Sequence, residues 1–261
     1  MKAEGRRQTA GAGVSEGAGV LAELIREADS ALVLTGAGVS VPSGIPDFRT
    51  PGKGLWEKVN PMEVAHIDAF RRDPDRFWEF YSQRFTALGD KRPNGAHQAI
   101  AELERRGLVD GVVTQNVDRL HRAAGSQRVI EVHGSIDECV CLDCGGRVTL
   151  ERVLELLAEH PGAPECAACV SPLKPNVVLF GELLPEAALD EAYALASHAD
   201  LMIAVGSSLE VYPVASLPQV TLDSGGRLAL VTQGPTPYDG EAEVKLSGDV
   251  VAELDAVLAA L

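Results

Sequence analysis

The sequence of 261 residues contains no apolar run that approaches the roughly 18 residues needed to cross a bilayer. Its first residues include basic side chains without an apolar core after them, so we expect no secretory signal there. Basic residues are scarce as well, since 23 Lys and Arg stand against 38 Asp and Glu, for a net charge of -15. Because this charge repels nucleic acids and anionic membranes, we expect neither as a direct partner.

Cysteines are few, and four of the five form two close pairs, Cys141-x2-Cys144 and Cys166-x2-Cys169, with 21 residues between the pairs. Four thiolates in this arrangement form the tetrahedral cage that zinc prefers, and a closed cage indicates one structural zinc. The alternative is that the four cysteines are simply buried in a core. Cys139 is left over, either as a buried thiol or as a competitor for the metal. Paired metal-binding cysteines are typical of a reducing compartment, so we expect a cytoplasmic protein.

The remaining composition, 46% hydrophobic and 23% charged, is that of an ordinary globular protein. Short apolar runs alternate with segments of helical period, which predicts a mainly parallel sheet with helices on both faces. The predicted strands are 31–34, 109–114, 129–132, 201–205, 228–231 and 244–246. The predicted helices are 20–28, 75–88, 97–106, one that begins near 118, 185–196 and 250–261.

We expect an α/β fold, with a Rossmann-like, doubly wound sheet and a smaller module. Residues 1–16 are predicted to be a disordered tail. The expected dinucleotide-binding domain comprises 17–48, 95–134 and 176–261. The expected small domain combines a helical insertion, 49–94, with a zinc ribbon, 135–175.

Small or polar turns follow three predicted strands: Gly36-Ala37-Gly38, Gln115–Asp118 and Gly206-Ser207-Ser208. Such turns converge on one edge of a parallel sheet, which suits a dinucleotide whose phosphates lie over the glycines. Paired glycines allow close approach to a phosphate and are expected to aim free N–H groups at it. The glycine pattern is incomplete, because Val41 stands where a third glycine is usual. Each turn alone can simply end a strand; the three together favour a dinucleotide site.

His133 follows another predicted strand and precedes the cysteine segment. A lone histidine is often structural. Here it can project into a cleft between the two modules, where an imidazole is a suitable proton acceptor near neutral pH.

Six motifs then occur in one order: GAGVSVPSGIPDFR at 36–49, TQNVD at 114–118, HGS at 133–135, the cysteine pairs, FGE at 180–182 and GSSLEVYP at 206–213. Together they resemble the sirtuin family of NAD-dependent protein lysine deacylases, from about residue 32 to 239. The resemblance implies that NAD is the co-substrate and that acylated protein lysines are the partners. The implied products are nicotinamide, O-acyl-ADP-ribose and free lysine.

The resemblance also implies site residues. His133 would be the general base, and Asn116 would position ribose and water. The implied cofactor-binding residues are Gly36, Ala37, Gly38, Ser40, Gly44, Pro46, Asp47, Phe48, Arg49, Gln115, Asn116, Asp118, Gly206, Ser207, Ser208, Thr232 and Val250. Phe180, Gly181 and Glu182 would flank the substrate peptide as an added strand. Thr232 departs from the asparagine of many relatives, although a hydroxyl can still form a hydrogen bond.

The helix predicted at 75–88 carries Tyr81 and Arg84, which resemble the Tyr-x-x-Arg of sirtuins that remove acidic acyl groups. Ala65 matches the small residue that widens the acyl pocket of those members. A phenol and a guanidinium on one helix face can grip a carboxylate, which predicts removal of succinyl or malonyl as well as acetyl groups. The alternative is that Arg84 pairs with a structural acid and Tyr81 is core. Asp47 stands where the acid-specific members have threonine, so the subclass features are mixed.

Two other functions share these features. One is a mono-ADP-ribosyltransferase that cleaves NAD for a different acceptor. The other is a regulator that binds NAD or ADP-ribose without catalysis, which the presence of both His133 and Asn116 disfavours.

Overall fold

The computed structural model describes residues 16–47, 60–160 and 162–261. Within them, nine strands form two sheets: β1 (Ala31–Thr35), β2 (Gly111–Thr114), β3 (Val129–Glu131), β4 (Gly134–Cys141), β5 (Arg147–Thr149), β6 (Leu173–Val177), β7 (Leu201–Val205), β8 (Arg227–Val231) and β9 (Val244–Leu246). The larger sheet has the order β3-β2-β1-β7-β8-β9, and all of its neighbouring strands run parallel. The smaller sheet, β5-β4-β6, is antiparallel.

The helices of the same residues are α1 (Glu16–Glu27), α2 (Pro61–Val64), α3 (Ile67–Arg72), α4 (Pro74–Gly89), α5 (Gly95–Arg105), α6 (Leu120–Ala124), α7 (Leu150–Glu159), α8 (Glu186–His198), α9 (Leu217–Asp223) and α10 (Val250–Ala260). In the described part of the chain, two short 3-10 helices occupy Ala37–Ser43 and Val214–Ser216. None of the described helices is both long enough and apolar enough to cross a membrane.

The parallel sheet is buried on both faces. Every residue of β1 and β7 is buried, as expected for central strands that helices cover on each side. Successive side chains of a strand point to opposite faces, so Val33 packs into the core beneath α1, α5 and α10, whereas Leu32 and Leu34 join the core beneath α8 and α9. Two hydrophobic cores therefore hold the sheet between two layers of helices.

A third core lies between the antiparallel sheet and helices α3, α4 and α7. Trp78 of α4 is its largest fully buried side chain, and its indole N–H donates to the Leu173 carbonyl of β6 at 2.8 Å. Burial of the indole ring with its one polar group satisfied ties the helical insertion to the cysteine-bearing sheet.

The predicted parallel sheet, with helices on both faces, is confirmed. Boundaries shifted by a few residues: β2 begins at Gly111 instead of 109, and α1 begins at Glu16 instead of 20. Glu16 is therefore helical, although the predicted tail included it; residues 1–15 lie outside the described residues. Helix α7 was not predicted, although its leucines and valine repeat with helical period behind the N-cap Thr149.

Candidate active site

All six parallel strands end at the same edge of the sheet, and the predicted turns meet there. Gly36 follows β1, Gln115 follows β2, Gly206 follows β7 and Thr232 follows β8. Val250 opens α10, shortly after β9. The topology thus brings together residues that are up to about 200 positions apart in the chain.

The glycines of this edge pack backbone against backbone. Gly36 N–H donates to the Val205 carbonyl at 3.1 Å, and Gly38 N–H donates to the Gly206 carbonyl at 2.8 Å. A Cβ on Gly38 would lie 2.7 Å from the Gly206 carbonyl oxygen, and Gly206 itself has a φ of 62°. The expectation that Gly36 and Gly38 aim free N–H groups at a phosphate is therefore wrong. Ala37 begins a 3-10 helix, so its N–H has no partner inside that helix and can serve an anion.

The segment after this helix turns sharply at Gly44, whose φ is 77° and whose N–H donates to the Val41 carbonyl. Only glycine takes such a backbone conformation readily, so the turn fixes the direction of Pro46 and Asp47. The predicted site residues Phe48 and Arg49 lie outside the described residues.

Asn116 is held by both hydrogens of its side-chain amide. Nδ2 lies 3.1 Å from the Gly36 carbonyl and 3.2 Å from Ser40 Oγ, and the backbone N–H donates to Thr114 Oγ1 at 3.1 Å. Since both Nδ2 hydrogens are used, Oδ1 is the amide atom left to accept a hydrogen bond from a ligand.

Asp118 is buried next to Asn116. One carboxylate oxygen accepts from Ser40 Oγ at 2.6 Å, and the other accepts from Leu120 N–H at 3.0 Å, at the start of α6. These contacts satisfy a carboxylate that burial would otherwise make costly.

Gln115 links two of the turns through its side chain, because Nε2 donates to Ser207 Oγ at 2.9 Å.

His133 is oriented by the backbone of Gln115, whose carbonyl oxygen lies 2.9 Å from His133 Nδ1. A carbonyl can only accept, so His133 carries its proton on Nδ1 and presents a bare Nε2. Burial lowers the pKa of His133 below 6.5, and the bond to the Gln115 carbonyl acts in the opposite direction. The imidazole is therefore a neutral acceptor at pH 7.

Two buried histidines behind this edge were missed by the sequence analysis. His97 and His121 have ring centroids 4.9 Å apart and are almost fully buried. Burial lowers the pKa of His97 to about 4 and that of His121 to about 3. The one available signal was the position of His97 three residues after Asn94, where a side chain can reach back to the start of a helix.

The four paired cysteines meet in the small module. The Sγ atoms of Cys141, Cys144, Cys166 and Cys169 all lie within 4.8 Å of one another. This spacing and donor set fit a tetrahedral Zn²⁺ with four thiolate ligands. Cys139 is not part of the cluster; it is buried, and burial raises the pKa of its thiol to about 12. Of the two alternatives for Cys139, its position outside the cluster favours the buried thiol.

The Phe180–Glu182 segment is joined to the helical insertion by a short parallel bridge. Phe180 N–H donates to the Ala65 carbonyl at 2.8 Å, and Ile67 N–H donates to the Phe180 carbonyl at 2.9 Å. Gly181, with a φ of 85°, closes the turn against His66. Ala65, predicted in the acyl pocket, and Phe180, predicted beside the peptide, are therefore neighbours.

Glu182 has a partner within the protein. Its carboxylate lies 3.0 Å from Nζ of the buried Lys174 and accepts from Leu179 N–H at 2.8 Å. Lys174 also donates to the carbonyls of Pro175 and Val177. The carboxylate of Glu182 thus fixes the turn that positions Phe180.

Tyr81 and Arg84 lie on α4 in different surroundings. The Tyr81 ring packs between Phe77 and Phe85, with centroids 4.5 Å and 5.2 Å away, and burial raises its pKa to about 12. The Arg84 guanidinium lies 3.5 Å from the Phe80 ring centroid and donates to the Phe80 carbonyl. No carboxylate of the described residues lies within ion-pair distance of Arg84, so a structural acid partner is not found there.

A doubly wound parallel sheet with a polar carboxyl edge, joined to a four-cysteine module, defines a two-module nucleotide-binding protein. The model of the Sir2 family matches residues 36–213. An NAD-dependent protein deacetylase of Thermotoga maritima is 46% identical over 229 residues, which are 88% of this chain and 92% of that protein. An NAD-dependent protein deacylase of Archaeoglobus fulgidus is 46% identical over 228 residues, 87% of this chain and 89% of that protein. The chain belongs to the Sir2 family.

A solved structure of a Sir2 protein with a peptide and NAD⁺ superposes with a TM-score of 0.86 at 43% identity, covering 92% of this chain and 96% of that one. The folds therefore agree over both modules. The predicted membership and fold class are confirmed.

Proposed function

We propose that this chain transfers acyl groups from lysine side chains of proteins to the ADP-ribose part of NAD, with release of nicotinamide. The enzyme class is that of the family, an NAD-dependent protein deacylase. The observation that carries the proposal is the pairing of a neutral His133, bare at Nε2, with Asn116 at one edge of the sheet. A protein that only bound the nucleotide would have no use for an oriented proton acceptor.

NAD, His133 and Asn116 have separate roles in the reaction. NAD supplies an activated ribosyl carbon whose bond to nicotinamide can break. His133 Nε2 accepts the proton of a ribose hydroxyl, and Asn116 Oδ1 accepts a hydrogen bond from ribose or water. Burial keeps His133 neutral and lets its hydrogen bonds act in a medium of low polarity.

We place NAD along the carboxyl edge. Residues 36–38 and 206–208 would lie under the pyrophosphate, where Gly36, Gly38 and Gly206 have no side chains to cover it. Thr232 and Val250 would meet the adenosine end, and Asp47 and Asp118 the nicotinamide end. The division into a nucleotide domain and a small domain, with boundaries as predicted, remains our proposal.

Acylated lysine would enter beside Ala65 and Phe180, with the peptide backbone along 180–182 as an added strand. The backbone bridge between these two segments holds both residues on the same side of this entrance. We further propose a cytoplasmic location, which rests on four thiolates that need a reducing compartment to hold zinc.

We propose that acidic acyl groups are accepted as well as acetyl groups. Arg84 supports this, because it is a half-buried cation held by the Phe80 ring without a carboxylate partner among the described residues. A ligand carboxylate would provide the missing countercharge. Each charge-assisted hydrogen bond contributes about 1.5–3 kcal/mol, which corresponds to roughly 10- to 150-fold in reaction rate.

The test is to incubate the protein and NAD with matched acetyl- and succinyl-lysine peptides and to measure the products by mass. Arg84→Met is expected to lower kcat/KM for the succinyl peptide by about 10-fold or more and to change the acetyl peptide by less than about threefold. Arg72→Met, on the exposed end of α3, is the matched control and is expected to leave both rates unchanged.

An equal loss on both peptides in Arg84→Met would show that Arg84 is structural and would reject acid recognition. Absence of deacylation of either peptide by the wild-type protein would reject the deacylase itself. NAD consumption with ADP-ribose attached to a protein acceptor would instead support the transferase alternative.

A further inference from the structure

Ser40 is the point where the active-site residues and the buried histidines meet. Its Oγ lies 2.6 Å from Asp118 Oδ2, 3.2 Å from Asn116 Nδ2 and 3.3 Å from His97 Nε2. The residue is 1% exposed. A hydroxyl has one hydrogen to donate and two lone pairs to accept with, so three partners use its full capacity.

The direction of each bond follows from its partners. Asn94 N–H donates to His97 Nδ1 at 3.3 Å, and an N–H group cannot accept. The neutral His97 therefore carries its hydrogen on Nε2 and donates it to Ser40 Oγ. Asn116 Nδ2 also donates, so the Ser40 hydrogen points to the Asp118 carboxylate.

We infer that His97 is a positioning residue, which orients Asn116 and Asp118 through the Ser40 hydroxyl. Among the described residues, His97 forms no hydrogen bond with Asn116 or Asp118 directly. Its Nε2–H occupies one lone pair of Ser40, which leaves one direction for Asn116 and sends the Ser40 hydrogen to Asp118. The low pKa of His97, about 4 because of burial, keeps this direction unchanged at neutral pH.

Ser40 then has a different role from the one expected from the sequence. The sequence resemblance assigned it to the cofactor, whereas its hydroxyl is saturated by the protein. Rotation of that hydroxyl toward a phosphate would leave the buried Asp118 oxygen without its donor. We expect Ser40 to act on the co-substrate through Asn116 and Asp118.

Two substitutions separate positioning from helix capping. His97→Asn keeps an acceptor where Nδ1 stands, for Asn94 N–H, and has no group at the place of Nε2. His97→Gln has a donor at the place of Nε2 and lacks the acceptor near Asn94. A capping role predicts that Asn is the better replacement, and a positioning role predicts that Gln is the better one.

The inference rests on the proposed deacylase function, so both variants are assayed beside the wild-type protein. We expect His97→Asn to melt at or above the temperature of His97→Gln and yet to lose about tenfold in kcat with little change in KM for NAD. His97→Gln is expected to keep kcat within about threefold of wild type. If kcat follows the melting temperatures, the role is structural and the inference is rejected.

A double variant tests whether the effect passes through Ser40. Once Ser40→Ala has removed the hydroxyl, adding His97→Asn is expected to lower kcat by less than about twofold more. If the two substitutions instead lower kcat by independent factors that multiply, the effect of His97 does not pass through Ser40.

A readout without turnover keeps the test valid if the wild-type protein proves inactive. The ¹⁵N NMR signal of the Asn116 side-chain amide is expected to shift in His97→Asn and to stay near its wild-type position in His97→Gln. An unmoved signal in both variants would overturn the inference, whatever the outcome for deacylation.

Discussion

A single hydrogen bond sets the chemistry of His133. The Gln115 carbonyl, 2.9 Å from Nδ1, fixes the tautomer, and the lone pair on Nε2 then faces outward as a proton acceptor. Burial lowers the pKa, so the acceptor stays available in mildly acidic solution. Asn116 is set in the same way, by hydrogen bonds that leave Oδ1 for a ligand, whereas both carboxylate oxygens of Asp118 already accept hydrogen bonds within the protein.

The pH dependence of deacylation tests this assignment. As pH falls through the lowered pKa, His133 gains a proton and its lone pair is lost, so kcat/KM for the acetyl peptide should fall with a midpoint below pH 6.5. The measurement is a rate profile from pH 5 to 9, with zinc content checked at each end. His133→Asn should lower the rate by about 10²- to 10⁴-fold. The fall of kcat/KM at acidic pH should also be absent from the profile of this variant. A midpoint above 6.5 would speak against a buried base.

At the scale of elements, the small module depends on two different attachments. Trp78 and the third hydrophobic core join α4 to the antiparallel sheet, and the four cysteines join the β4–β5 turn to residues 166–169. The ion pair between the buried Lys174 and the partly exposed Glu182 then joins β6 to the turn at Phe180. A change at the metal cluster is therefore expected to reach the substrate entrance.

Metal analysis tests the cysteine assignment. We expect one zinc per chain, unchanged in Cys139→Ala, because the Cys139 thiol lies outside the cluster. Cys144→Ala should lose most of the zinc and lower the melting temperature, since a structural site contributes directly to folding. Mass spectrometry of the metal and thermal unfolding are the measurements. Loss of zinc in Cys139→Ala would show that the Cys139 thiol is a zinc ligand and would contradict the four-cysteine site.

For the whole molecule, the buried histidine pair couples stability to pH. His97 and His121 have pKa values of about 4 and about 3 in the folded chain, against 6.5 for an ordinary histidine. Below pH 6.5 the unfolded chain binds these protons and the folded chain does not. The free energy of unfolding therefore falls as pH falls, from 6.5 toward the folded values.

Urea unfolding at several pH values tests this coupling. Each histidine adds up to about 1.4 kcal/mol per pH unit to the slope in that window. His121→Gln removes one titrating group, so its stability should fall less steeply with acid than that of wild type. His198→Gln, on the exposed end of α8, is the control and should run parallel to wild type. A curve for His121→Gln that also runs parallel would show that His121 is not buried in its neutral form.

The class of fold, the family, the four cysteines of the metal cluster and the residues of the carboxyl edge were all predictable from the amino-acid sequence. These follow from local patterns: strand and helix periods, the spacing of cysteines and the turns at strand ends. Residues 75–88 were also predicted as a helix, although the conformation of Arg84, folded back onto Phe80, was not.

The hydrogen bonds at this edge could be read from the folded structure alone. It showed that Gly36 and Gly38 donate to the β7 turn, that His133 is bare at Nε2, and that Ser40 joins His97 to Asp118. The physical reason is distance along the chain: Ser40 lies 57 positions from His97 and 78 from Asp118. A residue's type limits which hydrogen bonds it can form. Folding decides which partner lies within hydrogen-bond distance, and therefore which atom is left for the substrate.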